Sequence, residues 1–139
     1  MVYITLALIQ ETPLRYFIAY HNEKKIGYSC TAIPSPRVKT SKPVEGLEGS
    51  SVWLVAGEGK SPKSYYLAAK FTVEACDTDK HLGTKLANEV SGSGMLFGKS
   101  ICMNHTPLLT QLQKLSANFV NGFCELKDAS AIATLKALA

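Results

Sequence analysis

The sequence predicts a single α+β domain over residues 1–139, in which five to six strands form a small curved or closed β-barrel and two short helices follow. Three observations lead to this fold class. The length of 139 residues is typical of one domain with its own hydrophobic core. Hydrophobic residues make up 46% of the chain and charged residues 19%, which excludes disorder. Runs of β-branched and aromatic residues fill the first two thirds, and leucines at helical spacing follow.

The first strands are predicted where β-branched and aromatic residues cluster between turn signals. Residues 2–9 and 16–20 have this composition, and a proline lies between them, so we expect two strands joined by a turn. A third strand is expected over residues 26–33. Residues 34–50 hold three prolines and two glycines, and this composition predicts a long loop.

The middle of the chain is expected to hold the longest strand. Residues 51–56 form a strand that runs into a glycine-rich, basic turn at 57–64, and an unusually long strand follows at 65–76. A long, bulged strand after a tight turn is what a small curved barrel needs in order to change direction. Residues 77–94 are polar and end in a flexible Ser-Gly-Ser-Gly run, and a further strand is expected at 95–101.

Two helices are expected in the last third of the chain. Thr106 is a favourable N-cap residue, and Pro107 suits the first helical position. The apolar face of this first helix consists of Leu108, Leu109, Leu112 and Leu115. Asp128 opens the second helix. One side of that helix carries Ile132, Leu135 and Leu138.

The charge of the chain is modest and uneven. Fifteen Lys and Arg residues against eleven Asp and Glu residues give a formal charge of +4, and the whole excess lies in residues 1–70. A basic face of this size can attract phosphates, although it is also ordinary solubility charge. The chain has no run of about 18 apolar residues and no recognisable signal peptide, so we expect a cytoplasmic protein without membrane contact.

The sequence gives little support to a catalytic or metal site. The four cysteines lie far apart, so we expect buried free thiols, and although Cys102 and His105 could share a metal we expect none. Two Gly-Lys-Ser triplets, at 59–61 and 98–100, lack the upstream glycine of a P-loop. The three histidines lie in polar stretches without a nucleophile elbow. We therefore expect a protein that is not an enzyme and that has no catalytic residues and no cofactor.

The candidate binding segment runs from Trp53 to Tyr66 and combines aromatic side chains with a basic, glycine-rich turn. Glycines let a backbone approach a phosphate closely, and lysines and a serine supply charge and a hydroxyl group. The ring of Trp53, Tyr65 or Tyr66 could stack on a base, or Trp53 and one tyrosine could instead fill the core. Because neighbouring residues of a strand point to opposite faces, we expect one of Tyr65 and Tyr66 in the core and the other exposed. The predicted nucleic-acid-binding residues are Trp53, Gly57, Gly59, Lys60, Ser61, Lys63, Tyr65 and Tyr66, together with Lys39 and Lys42 from the long loop.

One stretch and one closing motif resemble a known superfamily. The stretch begins with residues 51–63 and continues with Tyr65-Tyr66-Leu67, in a strand that ends at Cys76. The closing motif consists of Asn118-Phe119 and, after two further residues, Gly122-Phe123, just before the last helix. Both resemble the PUA-like superfamily of small β-barrels, in particular its EVE-type base-reading modules. The resemblance implies a non-catalytic barrel that accepts a flipped or modified base, in DNA rather than RNA, as part of a restriction system. It also implies a separate nuclease chain as a candidate partner.

A second function stays open. The protein could be a protein-interaction or small-ligand-binding barrel with no role in nucleic-acid binding. The neutral second half of the chain and its leucine-rich helix could dock a partner or dimerise. The two functions differ in their response to salt, because contacts to phosphates weaken as the salt concentration rises.

Overall fold

The computed structural model describes residues 15–22, 37–40, 42, 44–59, 63–78, 88–97, 101–119 and 122–138. The predicted strands at 2–9 and 26–33 lie outside these residues. The strands within them are β1 (Tyr16–Asn22), β2 (Arg37–Thr40), β3 (Ser51–Glu58), β4 (Ser64–Thr78), β5 (Asn88–Leu96) and β6 (Phe123–Leu126). The helices within them are α1 (Pro107–Leu115) and α2 (Ala129–Leu138).

The six described strands form one sheet in the order β2-β5-β4-β3-β1-β6. Strands β1 and β3 are parallel, and every other neighbouring pair is antiparallel. The sheet curls into a half-barrel, so the predicted α+β class with a small curved sheet and two helices is confirmed. β4, with 15 residues, is the longest of the described strands, as the sequence predicts.

Two register shifts in β4 and two glycines in β5 accompany the curl of the sheet. The register of β4 shifts against β3 after Leu54 and against β5 after Val73. Such an extra residue bends a strand and increases its twist. At Gly92 and Gly94 a Cβ atom would overlap the backbone carbonyl oxygens of β4. Only glycine allows β5 to lie this close to the bent strand.

Side chains alternate between two buried faces of the sheet, as the period of a β-strand requires. The face that we call the barrel face includes Phe17, Ala19, Val52, Leu54, Ala56, Phe71 and Phe123, with Val44 and Leu47 packed against it. The face that we call the helix face includes Ile18, Trp53, Val55 and Leu67, with Leu112 and Leu135 of the helices packed against it. Both faces of β3 are therefore buried, because α1 and α2 cover one and the curled sheet encloses the other.

Both predicted helix starts are confirmed. The Thr106 Oγ1 accepts a hydrogen bond from the Leu109 N–H at 3.2 Å, and Pro107 begins α1. The Asp128 Oδ1 accepts from the Ala131 N–H at 2.9 Å at the start of α2. These caps satisfy N–H groups that a helix leaves without a partner in its first turn.

The apolar faces of the two helices are shorter than predicted. Leu115 and Leu138, each in the last turn of its helix, are exposed and not part of the buried face. Each lies past the part of its helix that packs on the sheet. Neither α1 nor α2, nor any other helix in the described ranges, is long and apolar enough to cross a membrane.

Three segments differ from the sequence-based expectation. The predicted loop at 34–50 contains β2, a four-residue edge strand that pairs with β5. The Ser-Gly-Ser-Gly run at 91–94 lies within β5, so the strand expected at 95–101 begins earlier and ends at Leu96. Strand β6 was not predicted, because its four residues pair with β1, more than 100 positions away along the chain.

Candidate nucleic-acid interface

The predicted binding segment lies at the end of the sheet where β3 passes into β4. Gly59 follows β3, has a φ of +86°, is exposed and has nothing within 4 Å of the position a Cβ would take. Lys63 precedes β4 and is half-buried. Lys60 and Ser61 lie outside the described residues. Among the described residues of the turn, Gly59, with open space around it, and Lys63 therefore lie beside this end of the sheet.

Gly57, two residues earlier, makes its close approach to an aromatic ring. It is buried, and a Cβ at this position would overlap the hydroxyl oxygen of Tyr20. The absence of a side chain at Gly57 is therefore explained by packing within the protein. The space beside Gly57, where we expected a phosphate to come close to the backbone, is filled by the Tyr20 ring.

Trp53 lies in the core of the helix face, with none of its surface exposed. The Tyr16 ring stacks on it at 5.7 Å between centroids, and the Lys70 ammonium lies 5.3 Å from its ring centroid. The indole N–H is buried and has no hydrogen-bond acceptor among the described residues. The alternative in which Trp53 fills the core is therefore the arrangement found, and no ring face is available to a base.

Tyr65 and Tyr66 point to opposite faces of β4, as the alternation of a strand predicts. Tyr65 packs on the helix face, where its ring centroid is 5.7 Å from that of Phe119. Tyr66 pairs with Ala56 of the barrel face and forms an isolated bridge with Cys102 on its other side. Both tyrosines are half-buried, so the expected contrast between a core ring and an exposed ring is not found.

Two buried ionisable residues that the sequence analysis missed lie beside Tyr66. His21 is 5% exposed and Glu58 is 7% exposed. His21 pairs with Ala56, which pairs in turn with Tyr66, and Glu58 is two residues beyond Ala56 on the same face of β3. Neighbouring strands lie about 4.8 Å apart, so the three residues share a patch about 10 Å across. We call His21, Glu58 and Tyr66 the polar end cluster.

A usable signal for this cluster was present in the sequence. The predicted strand at 16–20 continues to Asn22 in the structure. An extension by two residues places His21 on the same face as Phe17 and Ala19, because side chains on one face recur every second residue. Glu58 follows Ala56 in the same way. Both residues were assigned to polar turns, so their burial was not predicted.

Backbone hydrogen bonds hold the strands on which the cluster lies. The Tyr20 N–H donates to the Gly122 carbonyl oxygen at 2.8 Å, next to His21. On the far side of β4, the Leu67 N–H donates to the Ile101 carbonyl oxygen, and the Tyr65 carbonyl oxygen accepts from Met103, each at 2.9 Å. The backbone on both sides of Tyr66 is thereby fixed, and the pairing of Tyr66 with Ala56 assigns Tyr66 to the barrel face.

An aromatic layer supports the same strands from the helix face. The Tyr20 and Phe119 rings stack at 4.6 Å with an interplanar angle of 8°. Phe119 has a φ of +63°, and its N–H donates to the buried Ser116 Oγ at 3.0 Å. Burial, and to a smaller extent Tyr65, raises the pKa of Tyr20 to about 12. Tyr20 therefore stays neutral at physiological pH and acts as a packing residue.

Lys39 and Lys42 lie at the other end of β4 from the basic turn. Strand β2 pairs with residues 88–91 of β5, which pair with residues 75–78 of β4, whereas the turn precedes Ser64. Lys39 is exposed and pairs across strands with Glu89. The sheet connectivity therefore does not join these two lysines to the turn in one continuous basic surface.

The described cysteines are free thiols in different surroundings. Cys76 and Cys124 are half-buried, and burial raises the pKa of both thiols. Cys102 is exposed, contrary to the expectation of burial. Within the described ranges, no group of three His, Cys, Asp or Glu residues is arranged to hold a metal ion.

Comparison with known proteins identifies no family. No protein-family model matches this chain, and a search of curated proteins finds no similar sequence. The chemistry of the candidate interface is therefore argued from its residues alone.

Proposed function

We propose that this protein is a non-catalytic nucleic-acid-binding domain with a PUA-like barrel. It reads a flipped or modified base of DNA at the polar end cluster, and its basic turn holds an adjoining phosphate. A nuclease in a separate chain supplies any cleavage. The observation that carries the proposal is the position of Tyr66, a half-buried ring on the barrel face at the end of the sheet next to the turn.

The base contact is supported by the make-up of the cluster. Ligand sites are mainly apolar and hold a few convergent polar groups. Here the apolar part is the barrel face around Ala56, and the polar groups belong to His21 and Glu58. Tyr66 adds an aromatic ring, which is the usual partner for an unstacked base.

The phosphate contact is supported by the turn that adjoins the cluster. Glu58 pairs with Ser64, so the turn between them starts and ends at the polar end cluster. Gly59 leaves open space for a close approach, and Lys63 carries a positive charge at the same end of the sheet. Lys60 and Ser61 of the same turn add a second charge and a hydroxyl group.

Replacing both lysines of the turn tests the phosphate contact. We expect Lys60→Ala with Lys63→Ala to weaken binding to every DNA sequence and to reduce the slope of log affinity against log salt by about 1 to 2. The matched control is Lys114→Ala with Lys127→Ala, which removes the same charge from exposed positions elsewhere. Unchanged affinity and slope in the turn variant would remove the turn from the mechanism.

Replacing Tyr66 tests the base contact. We expect Tyr66→Ala to weaken binding about tenfold or more through loss of stacking, and Tyr66→Phe to keep most of the affinity. Fluorescence anisotropy with labelled single-stranded and duplex DNA at physiological salt measures both. Equal affinities for the wild type and Tyr66→Ala would contradict a base contact at this residue.

The alternative, a protein-interaction domain, is favoured by a different observation. Met95 and Leu96 at the end of β5 are large apolar residues that are exposed. Exposed apolar residues on a strand can pair with another chain. A dimer in gel filtration that persists at both low and high salt would support this function.

A further inference from the structure

The second half of β5 forms an edge of the sheet. Strand β2 pairs with residues 88–91 of β5, and no described strand lies beside residues 92–96 on the side away from β4. Gly94 is exposed, and because a glycine has only backbone to expose, the main chain is accessible at this position. An edge of this kind presents N–H and C=O groups that can pair with a strand of another chain.

This edge differs from the two outer strands of the sheet in its lack of charge. β2 carries Arg37 and Lys39, and β6 carries Glu125. Charged side chains on an edge strand oppose pairing with another chain. Residues 91–96 read Ser-Gly-Ser-Gly-Met-Leu and contain no charge and no proline. The second half of β5 is therefore an edge without this protection.

Two large apolar side chains are exposed at the end of the edge, one on each face of the sheet. Met95 is 65% exposed and pairs with Lys70, whose ammonium lies over the Trp53 ring, so Met95 belongs to the helix face. Leu96 is 46% exposed and pairs with Ala69 of the barrel face. Neighbouring apolar side chains that are exposed together are typical of an interaction surface.

The sequence of this edge is complementary to itself. Two copies can pair antiparallel about a two-fold axis at Gly94. Leu96 of one copy then lies opposite Gly92 of the second copy. Met95 lies opposite Ser93 in the same way, so each large side chain lies beside a small residue. Opposite residues of an antiparallel pair point to the same face, so this match holds on both faces of the joint sheet.

The lack of charge favours a second copy over a charged peptide as the occupant. Side chains near a two-fold axis face the same residues of the other copy, so a charged edge would repel itself. An uncharged edge avoids this repulsion. It also offers no opposite charge that would attract and orient a charged peptide.

We propose that residues 92–96 of β5 pair with the same residues of a second copy, so that the two sheets continue into each other. The contact is short and buries less than the roughly 1,200 Å² of a stable interface, so we expect a weak dimer. The two-fold axis places the two basic turns at opposite ends of the joint sheet, because each turn precedes Ser64 at one end of β4. The dimer therefore goes beyond the proposed function and does not depend on it.

Sedimentation equilibrium of the whole chain measures the dimer. Between about 1 and about 500 µM we expect association with a dissociation constant on the order of 10 to 100 µM. Met95→Gln with Leu96→Gln should raise this constant about tenfold or more, because polar side chains gain little from burial against the second copy. The matched control is Leu115→Gln with Leu138→Gln, which replaces two leucines exposed elsewhere and should keep the wild-type constant.

Disulfide cross-linking tests the register. Cys102→Ser removes an exposed thiol, and copies that also carry Ser93→Cys are mixed under oxidised glutathione with copies that carry Met95→Cys. Directly opposite residues have Cβ atoms about 5 Å apart, so the mixture should form a disulfide between positions 93 and 95, identified by mass spectrometry. Either variant alone should cross-link about fivefold less or weaker, because like positions are diagonal neighbours about 7 to 8 Å apart.

Several outcomes would overturn this inference. These are a wild-type chain that stays monomeric at about 500 µM, a dimer that the edge variant does not weaken, and like positions that cross-link as strongly as the mixture. The wild-type and cross-linking measurements decide the question even if the edge variant does not fold. DNA binding, measured on the same protein, separates the two ideas: a monomer that binds DNA would overturn the dimer alone, and a dimer that binds no DNA would overturn the proposed function alone.

Discussion

The hydroxyl oxygen of Tyr20 occupies the position that a Cβ atom of residue 57 would take. Tyr20 belongs to β1 and Gly57 to β3, and the two strands are parallel neighbours. The Phe119 ring stacks on Tyr20 and so links the segment after α1 to the same place. One glycine therefore permits three segments of the chain to meet behind the polar end cluster.

A methyl group at residue 57 is expected to destabilise the protein. Gly57→Ala forces the Tyr20 ring to move within a packed layer, and such overpacking costs about 1 to 3 kcal/mol in the free energy of unfolding. Urea denaturation measures the loss. Because the nearest atom is the hydroxyl oxygen, Tyr20→Phe together with Gly57→Ala should lose less than the sum of the two single changes. A Gly57→Ala protein as stable as the wild type would contradict the overlap.

The ionisation of Tyr20 is expected to be visible as a separate step at high pH. Burial raises its pKa to about 12, above the ordinary value of 10. The folded state therefore holds this proton more tightly, and the resulting stability is present below pH 10 and is lost as the pH rises through 12. Ultraviolet titration of tyrosinate should show a late step that is absent in Tyr20→Phe. If Tyr20→Phe instead lost part of the tyrosinate step near pH 10, Tyr20 would titrate at the ordinary value, and this would contradict its raised pKa.

Trp53 is expected to report the core and not the ligand. It is the one tryptophan in the sequence, and none of its surface is exposed. Its emission should lie at shorter wavelength than that of the urea-unfolded protein, and acrylamide should quench it weakly. DNA that binds at Tyr66 should leave the emission nearly unchanged. Strong quenching by DNA would place Trp53 in the binding site and contradict its position in the core.

The ion pair between Arg15 and Glu125 is expected to give a small, pH-dependent contribution to stability. The guanidinium donates from Nε at 3.0 Å and from Nη2 at 2.9 Å, and these hydrogen bonds lower the pKa of Glu125. A lowered carboxyl pKa stabilises the fold above the unfolded value of about 4.3, and this stabilisation is lost as the pH falls through the folded value. Glu125→Gln should therefore be less stable than the wild type at pH 7, by under about 1 kcal/mol since the pair is exposed.

Thermal unfolding at several pH values checks this dependence. The difference between the wild type and Glu125→Gln should close toward pH 3, where the glutamic acid is itself protonated. Glu45→Gln, which changes an exposed carboxylate elsewhere, serves as the control. A difference that stays constant from pH 7 to pH 3 would show that the ion pair does not cause it.

Features that depend on a few consecutive residues were predictable from the sequence. The caps at Thr106 and Asp128 join atoms three residues apart, and both helices begin where predicted. The long strand ending near Cys76 was predicted from its β-branched and aromatic residues, and the bulges were expected from its length. The opposite directions of Tyr65 and Tyr66 follow from the period of any strand.

Features that depend on distant residues were decided by the tertiary structure. Strand β6 exists because it pairs with β1, and the Ser-Gly-Ser-Gly run becomes strand because its glycines fit against the bent β4.

The candidate interface likewise depends on both local composition and tertiary structure. The sequence by itself identified the turn and the tyrosines after it, since glycine, lysine and aromatic residues cluster there. The burial of Trp53, the ring over Gly57 and the placement of His21, Glu58 and Tyr66 on one face depend on which strands become neighbours. Local composition does not encode strand neighbours, because they are selected by contacts between residues that are far apart along the chain.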